Sequence, residues 1–340
     1  MHMKRVIGGI KFIALVLALI VSLNGACRLL CFKTAHGIKQ ARCLYAQPEN
    51  TIDVAFLGSS HMHVNINTAL LWEKYGIAAY DYSAAEQPLW MTYYYLKEIC
   101  KYQNPKVIVL DFFAPANFLD DYQYKYIADN FYGLRPSLNK LDMLKASVEP
   151  TRVLDFFPAL VSYHARYQEL EQEDFDFLFE TTEEKSAFKG YTPYFKESQW
   201  DKPEFDAEDP LPLTDKSQKY LDKIIDFCNE NGIEMFFIVT PYIKEHEPDR
   251  RYEYVERLCA ERGIFFEDDT EWYDTIGINF DEDFFDFSHL NYVGSCKYTE
   301  HIGNGLKYRF DLPDHRGDER YESWDRNVLE IQKKVDEAGW

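Results

Sequence analysis

"VAFLGSSHMHVN", residues 54–65, joins a four-residue apolar run to a glycine, two serines and two histidines. Val54 to Leu57 reads as a short buried strand, and Gly58 permits a backbone conformation that residues with a β-carbon resist. A serine just past the end of such a strand is presented to a crevice. Taken alone, the stretch is equally ordinary turn chemistry, since Gly and Ser close many strands. The rest of the chain decides between the two.

Outward from this point strands and helices alternate. After "VAFLG" (54–58) come a helix around Thr68 to Tyr75, the strand "AAYDYS" (78–83), a helix from Leu89 to Tyr102 and the strand "KVIVLDFF" (106–113). The pattern resumes with a helix from Ser217 to Asn231, the strand "EMFFIVTPY" (234–242), a helix through Glu253 to Arg262, the strand "IFFED" (264–268) and a last helix after Asn291. Such alternation predicts an α/β fold, a mostly parallel sheet covered by helices in a three-layer α/β/α sandwich. Residues 114–212 break it with segments such as "DFDFLFETTEE" and "FKGYTPYFKES". They read as an inserted cap region at the end of the sheet where open α/β folds keep their ligand crevice.

The N-terminus is different again. Phe12 to Cys27 carries no charge, and with Lys11 snorkelling the apolar stretch runs from Val6 to Cys27, long enough for one membrane span. A cleaved signal peptide is the rival, but "NGAC" places Asn24 where a lipoprotein signal expects an aliphatic residue. Lys4, Arg5 and Lys11 on one side balance Arg28, Lys33, Lys39 and Arg42 on the other, so charge does not orient the span. A cytoplasmic tail and a translocated body is the usual outcome for a lone N-terminal span. The expected organisation is therefore an anchor (1–32), a linker (33–49), an α/β domain (50–306) with the insertion, and a polar tail (307–340) carrying a short amphipathic helix.

Charge excludes one class of partner. Residues 1–48 hold seven Lys or Arg and no acidic residue, leaving 30 basic against 57 acidic residues, a net −27, from Glu49 onward. That field repels a nucleic-acid backbone, so no nucleic acid is expected. Seven scattered cysteines without a CxxC pair indicate neither a disulfide framework nor a zinc knuckle. The HxH pair His61 and His63 lacks further ligands at a recognisable spacing, even with Asp53 or Asp111 considered, so neither metal nor cofactor is expected.

The second signal lies 226 residues beyond Ser60. "FFDFSHLNYVGSCKY" places Asp286 three residues before His289 and then starts a helix, with Asn291 as its cap. A serine after an interior strand and a histidine in a late loop at the same sheet edge can converge. The Asp-x-x-His spacing lets a carboxylate orient the imidazole that serves as base for the serine.

On these motifs, "FLGSSH" and "DFSHLN", with the N-terminal span and the αβ order, the chain resembles the SGNH, or GDSL-like, hydrolases and acyltransferases. Within them it is similar to the membrane-anchored branch of bacterial cell-envelope proteins, which includes the teichoic-acid D-alanine transfer protein and exopolysaccharide O-acetyltransferases. The resemblance covers roughly 50–113 and 214–306. It implies Ser60 as nucleophile, His289 as general base, Asp286 as its orienting partner, and Gly58 as the glycine of the nucleophile motif. Ser59 stands where many members carry Asp.

Two departures touch the oxyanion hole. No GxND block follows the third strand, where "LDFFAPANF" leaves Asn117 as the substitute donor, and the second block, "SAAEQP", offers Gln87. The resemblance implies an exported, membrane-tethered serine esterase or acyltransferase, single-pass with its catalytic domain outside the cytoplasm. It would act on an envelope polysaccharide or teichoic-acid-like polymer, with a membrane-bound O-acyltransferase as a partner. The alternative is a non-catalytic member of the fold that binds a glycan or assists polymer modification, supported by the missing GxND block. Trp90 and the loop Tyr191 to Phe195 are candidates for a sugar platform.

Overall fold

The computed structural model describes residues 2–31, 33–117, 124–157, 163–179, 188–204, 210–243 and 249–340. Five strands, β1 (Val54–Leu57), β2 (Ala79–Asp81), β3 (Val107–Asp111), β4 (Glu234–Val239) and β5 (Phe265–Asp268), form one sheet in the order β2-β1-β3-β4-β5, every pair parallel. Val54 pairs with Ala79 on one side and Val107 on the other. Helices flank the sheet, which is why β1 and β3 are buried along their whole length and read as continuous apolar runs. Alternate residues of three strands, Val54 and Phe56, Val107 and Val109, Phe236 and Ile238, share one cluster with Leu71, Tyr298 and Ile302. That alternation follows from the two-residue period of a strand.

Caps set most helix limits. The helix Thr68–Tyr75 begins at Asn67, whose Oδ1 accepts from the Ala69 and Leu70 N–H groups, and ends at Gly76 in a left-handed conformation. Asn291 caps Tyr292–Arg309 by accepting from the Gly294 N–H at 3.1 Å. The helix Leu89–Ile99 stops three residues short of the expected Tyr102. There the chain turns so that the Gln103 side chain can accept from the Thr51 and Ile52 N–H groups at the entry to β1.

Two compact units divide the chain: 34–147 with 182–340, which holds the sheet, and 1–33 with 148–181. Residues 114–212, expected as one insertion, are thus shared between the units, and of "DFDFLFETTEE" only the part up to Phe179 lies within the described residues. In the smaller unit, the helix His2–Leu30 contains a 25-residue stretch, Val6–Leu30, whose most apolar 18 residues have mean hydropathy 2.6, long and apolar enough to cross a membrane. Its buried carboxylate, Asp174, takes Lys33 Nζ at 2.7 Å and both terminal nitrogens of Arg166, at 2.7 and 3.0 Å.

Two segments contribute more than the sequence suggested. Residues 33–49, expected as a linker, carry the helix Ile38–Leu44, which buries Ile38, Ala41 and Leu44 and receives the Tyr80 hydroxyl at the Gln40 carbonyl. The polar tail carries a 17-residue helix, Glu322–Ala338, that packs on Thr68–Tyr75. Trp324 on it is buried and donates to the Ala79 carbonyl, while Trp72 donates to Asp325. Its apolar residues are few, and a sparse stripe of Trp324, Ile331 and Val335 suffices to dock one helical face.

Candidate active site

Ser60 opens a six-residue helix, Ser60–Asn65, directly at the C-terminal end of β1. Gly58 makes the turn with φ +135°, and Ser59 is the N-cap, its Oγ accepting from the His61 N–H. The hydroxyl and N–H of Ser59 both reach Asp111 Oδ2 at the end of β3, whose Oδ1 accepts from Phe113 N–H. Burial pushes the Asp111 carboxyl up to about 6, although the bonds from Ser59 and Phe113 oppose it. Ser59 therefore braces the turn, and Ser60 beside it stays half-buried.

Ser60 Oγ lies 2.8 Å from His289 Nε2, and His289 Nδ1 lies 3.0 and 3.3 Å from the two Asp286 oxygens. Asp286 Oδ1 also accepts from the Ser288 and His289 N–H groups, each at 2.8 Å. Burial raises the Asp286 carboxyl, but the bond and charge of His289 and these two N–H groups outweigh it and hold the group below its ordinary value. A carboxylate beside Nδ1 places the imidazole proton there and leaves Nε2 to accept from the Ser60 hydroxyl. The structure brings Ser60, His289 and Asp286 into one hydrogen-bonded chain in the order the sequence predicted.

The expected side-chain oxyanion donors are not brought in, and both readings are corrected. Gln87 is buried, its amide nitrogen donating to Asn130 Oδ1 at 3.0 Å and its oxygen accepting from Thr92. Asn117 turns back onto its own helix, donating to the Phe113 carbonyl at 2.8 Å, and also lies 3.3 Å from the Tyr252 hydroxyl. In each case a nearer buried or helical acceptor takes the amide. Asp111, an acceptor, occupies the end of β3, and the Ala84 and Ala85 N–H groups bond to the Gly58 and His36 carbonyls. The Ser60 N–H stands in the first turn of its helix, where no intrahelical acceptor exists. Of the sugar-platform candidates, Trp90 and Tyr191 are buried in the fold, whereas Tyr194 packs against Phe285, tilted by 39° at 4.1 Å, and meets the His289 ring edge-on at 5.9 Å.

Sequence reasoning missed the residues that lock the two loops together. His61 Nε2 contacts Ser288 Oγ at 2.8 Å and its Nδ1 contacts Thr240 Oγ1 at 3.0 Å, while its ring stacks on Phe113. Asn65 donates to the same Thr240 oxygen and accepts from the Leu290 N–H. His61 and Asn65, both on the serine helix, therefore hold the residues on either side of His289. The signal was the polar content of "SHMHVN", too polar for a helix of which five residues are buried. His63 points elsewhere, to Ser83, so the two histidines do not converge on one metal position.

Among the described residues, Glu267, Asp269 and His301 offer ligand atoms within 4.8 Å of one another. Hydrogen bonding to the Asp269 and Glu267 carboxylates raises the His301 imidazole to about 9, and Arg309 pairs with Glu267. The cluster is held together as an ion-pair network by cations the chain supplies.

Two expectations follow. Ser59→Ala removes the helix cap and one Asp111 partner, which is worth about 1–3 kcal/mol of stability. Its loss of activity should be far smaller than that of Ser60→Ala; a reversed order, read from turnover of one ester, would exchange the two serines. His61 is buried, and burial with the His289 and His63 charges depresses its imidazole well below 6.5. The folded state then refuses a proton that the unfolded state accepts, so this contribution is present above pH 6.5 and is lost as pH falls below it. Denaturant melts of His61→Gln should show the dependence of stability on pH flattened by up to about 1.4 kcal/mol per pH unit between pH 6.5 and 5. An unchanged slope would mean that His61 is protonated in the fold.

No family model matches the chain, and no curated protein sequence matches it.

Proposed function

We propose that this chain is a membrane-tethered serine esterase or O-acyltransferase of the SGNH type that modifies an envelope polysaccharide or teichoic-acid-like polymer. The observation that carries the chemistry is the chain Ser60 Oγ, His289 Nε2, His289 Nδ1, Asp286. In this reading the sheet unit is an α/β/α sandwich, its own described residues within 114–147 and 188–212 cap its crevice, and the helix His2–Leu30 spans the membrane with the body outside.

His289 takes the Ser60 proton as Oγ attacks an ester carbonyl, and Asp286 stabilises the imidazolium and keeps its tautomer. The Ser60 N–H donates to the developing oxyanion. His289 then protonates the departing alcohol. In the second half the acyl-enzyme is opened by a polymer hydroxyl or by water, His289 removing that proton and returning it to Ser60. With only the Ser60 N–H as donor among the described residues, each missing donor forgoes about 3–4 kcal/mol of transition-state stabilisation, so turnover is slow.

The absence of a side-chain donor at Gln87 and Asn117 favours the second reading, a binding member of the same fold. A fluorophosphonate probe separates them, since it reacts covalently only with an activated serine, expelling fluoride. Labelling of the full-length chain in membranes, lost in Ser60→Ala, is the expected result. No labelling would favour the binding reading, and recovery of the chain in the soluble cytoplasmic fraction would end the envelope assignment.

A further inference from the structure

Asp81, Ser83, His63, His36 and Tyr194 come from four separate stretches of sequence, yet they form one hydrogen-bonded line within the sheet unit. Ser83 Oγ donates to Asp81 Oδ1 at 2.6 Å, and His63 Nδ1 lies 2.9 Å from Ser83 Oγ. His63 Nε2 lies 3.2 Å from His36 Nδ1, and His36 Nε2 lies 3.2 Å from the Tyr194 hydroxyl. Asp81, Ser83 and His63 are fully buried, while His36 and Tyr194 are half-buried, so the line runs from the interior to the ring that borders His289. Burying polar side chains is costly, and the core of an α/β sheet does not require these.

The line has a direction. Burial depresses both imidazoles, His63 strongly, and a neutral imidazole has one donor and one acceptor. With the Ser83 proton on Asp81, His63 donates from Nδ1 and accepts at Nε2, and His36 donates from Nδ1 and accepts at Nε2. The Tyr194 proton then goes to His36. Asp81 sets this polarity in either ionisation state, since Oδ1 accepts from both the N–H and the hydroxyl of Ser83 and a proton on Oδ2 leaves Oδ1 unchanged. The Tyr194 hydroxyl has no other hydrogen-bond partner among the described residues. Its oxygen keeps the capacity to accept, on a ring that borders His289.

We propose that Tyr194 selects the alcohol that takes the acyl group: its oxygen accepts a hydrogen bond from a second hydroxyl of the acceptor, so that a vicinal diol of a sugar or polyol is held with one hydroxyl at His289 Nε2 and its neighbour at Tyr194. This rests on the serine-acylation reading. In the transfer step the bond from the carbonyl carbon to Ser60 Oγ breaks as the bond to the acceptor oxygen forms. The acceptor proton goes to His289 and on to Ser60, and Tyr194 exchanges none. Tyr194 and Phe285 supply an apolar face for the sugar ring, and Asp81, Ser83, His63 and His36 act as positioning residues behind Tyr194.

The test uses the full chain in detergent with p-nitrophenyl acetate as donor and compares acetyl transfer to 1,2-propanediol with transfer to 1-propanol. The ratio of the two cancels any general loss of activity. One hydrogen bond predicts a diol preference of roughly five- to tenfold in the wild type. Tyr194→Phe keeps the ring on Phe285 and His289 and should bring the ratio to near one. Ser83→Ala, three links away, should lower it part of the way, because nothing then directs the Tyr194 proton. A wild type without diol preference, or a Tyr194→Phe variant that keeps it, overturns the proposal. A wild type that releases no nitrophenol and forms no acetyl-Ser60 overturns the serine reading itself, and the proposal with it.

Discussion

Ser60→Ala and His289→Ala should each lower ester turnover by about 10⁴–10⁶-fold, with nearly the same residual rate, because groups that act as one proton-transfer unit lose function together. The 2.8 Å contact between Ser60 Oγ and His289 Nε2 is the reason for expecting near-equality. Without the imidazole the hydroxyl keeps its proton, and without the hydroxyl the imidazole has nothing to activate. Asp286→Asn should cost less, about 10³–10⁴-fold, since an amide can hold the ring but favours the wrong tautomer. Asp286 is also partly open to water, which replaces some of its effect. The measurement is turnover of p-nitrophenyl acetate by purified full-length variants with unaltered melting curves. Turnover by either alanine variant within tenfold of the wild type would take that residue out of the mechanism.

Gly58→Ala should be the most damaging single-methyl change at the site. At φ +135° an L side chain is strained, at about 1–3 kcal/mol. The added Cβ would also stand 2.7 Å from Asp111 Cβ and 3.3 Å from the Asp111 N, with backbone rather than a flexible side-chain end in the way. Overpacking of this kind costs a further 1–3 kcal/mol or so. Relief requires β1 and β3 to part at the point where Ser59 bonds Asp111, which would carry Ser60 away from His289. A fall in melting temperature on the order of 10 °C is expected, with activity lost beyond the fraction unfolded. A variant that melts within about 2 °C of the wild type would show that the turn tolerates a side chain.

Much of this site was legible before any coordinates. The apolar run before Gly58, the Asp-x-x-His spacing and the cap Asn291 are short-range signals, and each depends on backbone rules that act over a few residues. The oxyanion donors were not legible. Gln87 and Asn117 have the right chemistry, but an amide goes to its nearest acceptor, and for Gln87 that is Asn130, 43 residues away. His61 and His63 were read as one HxH pair, yet they serve opposite neighbourhoods: His61 reaches Thr240 and Ser288, and His63 reaches Ser83 and His36. Their separation by two positions on a short helix turns the rings to different sides, a divergence no spacing rule supplied.

By itself the sequence determined the five strands and the helices that alternate with them, where Asn291 starts a helix, that Gly58 suits the turn, and that one N-terminal stretch is apolar enough to cross a membrane. Those follow from periodicity, conformational freedom and transfer energy, all properties of contiguous residues. The tertiary structure alone decided that the sheet order β2-β1-β3-β4-β5 sets Ser60 beside His289, 229 residues away. It also decided that His36, in a segment that read as linker, closes a line from Asp81 to Tyr194, and that the polar tail docks through Trp324. A hydrogen-bonding group carries no label for its partner. Which of several distant acceptors it meets depends on strand order and register, and these emerge only when the whole core is packed.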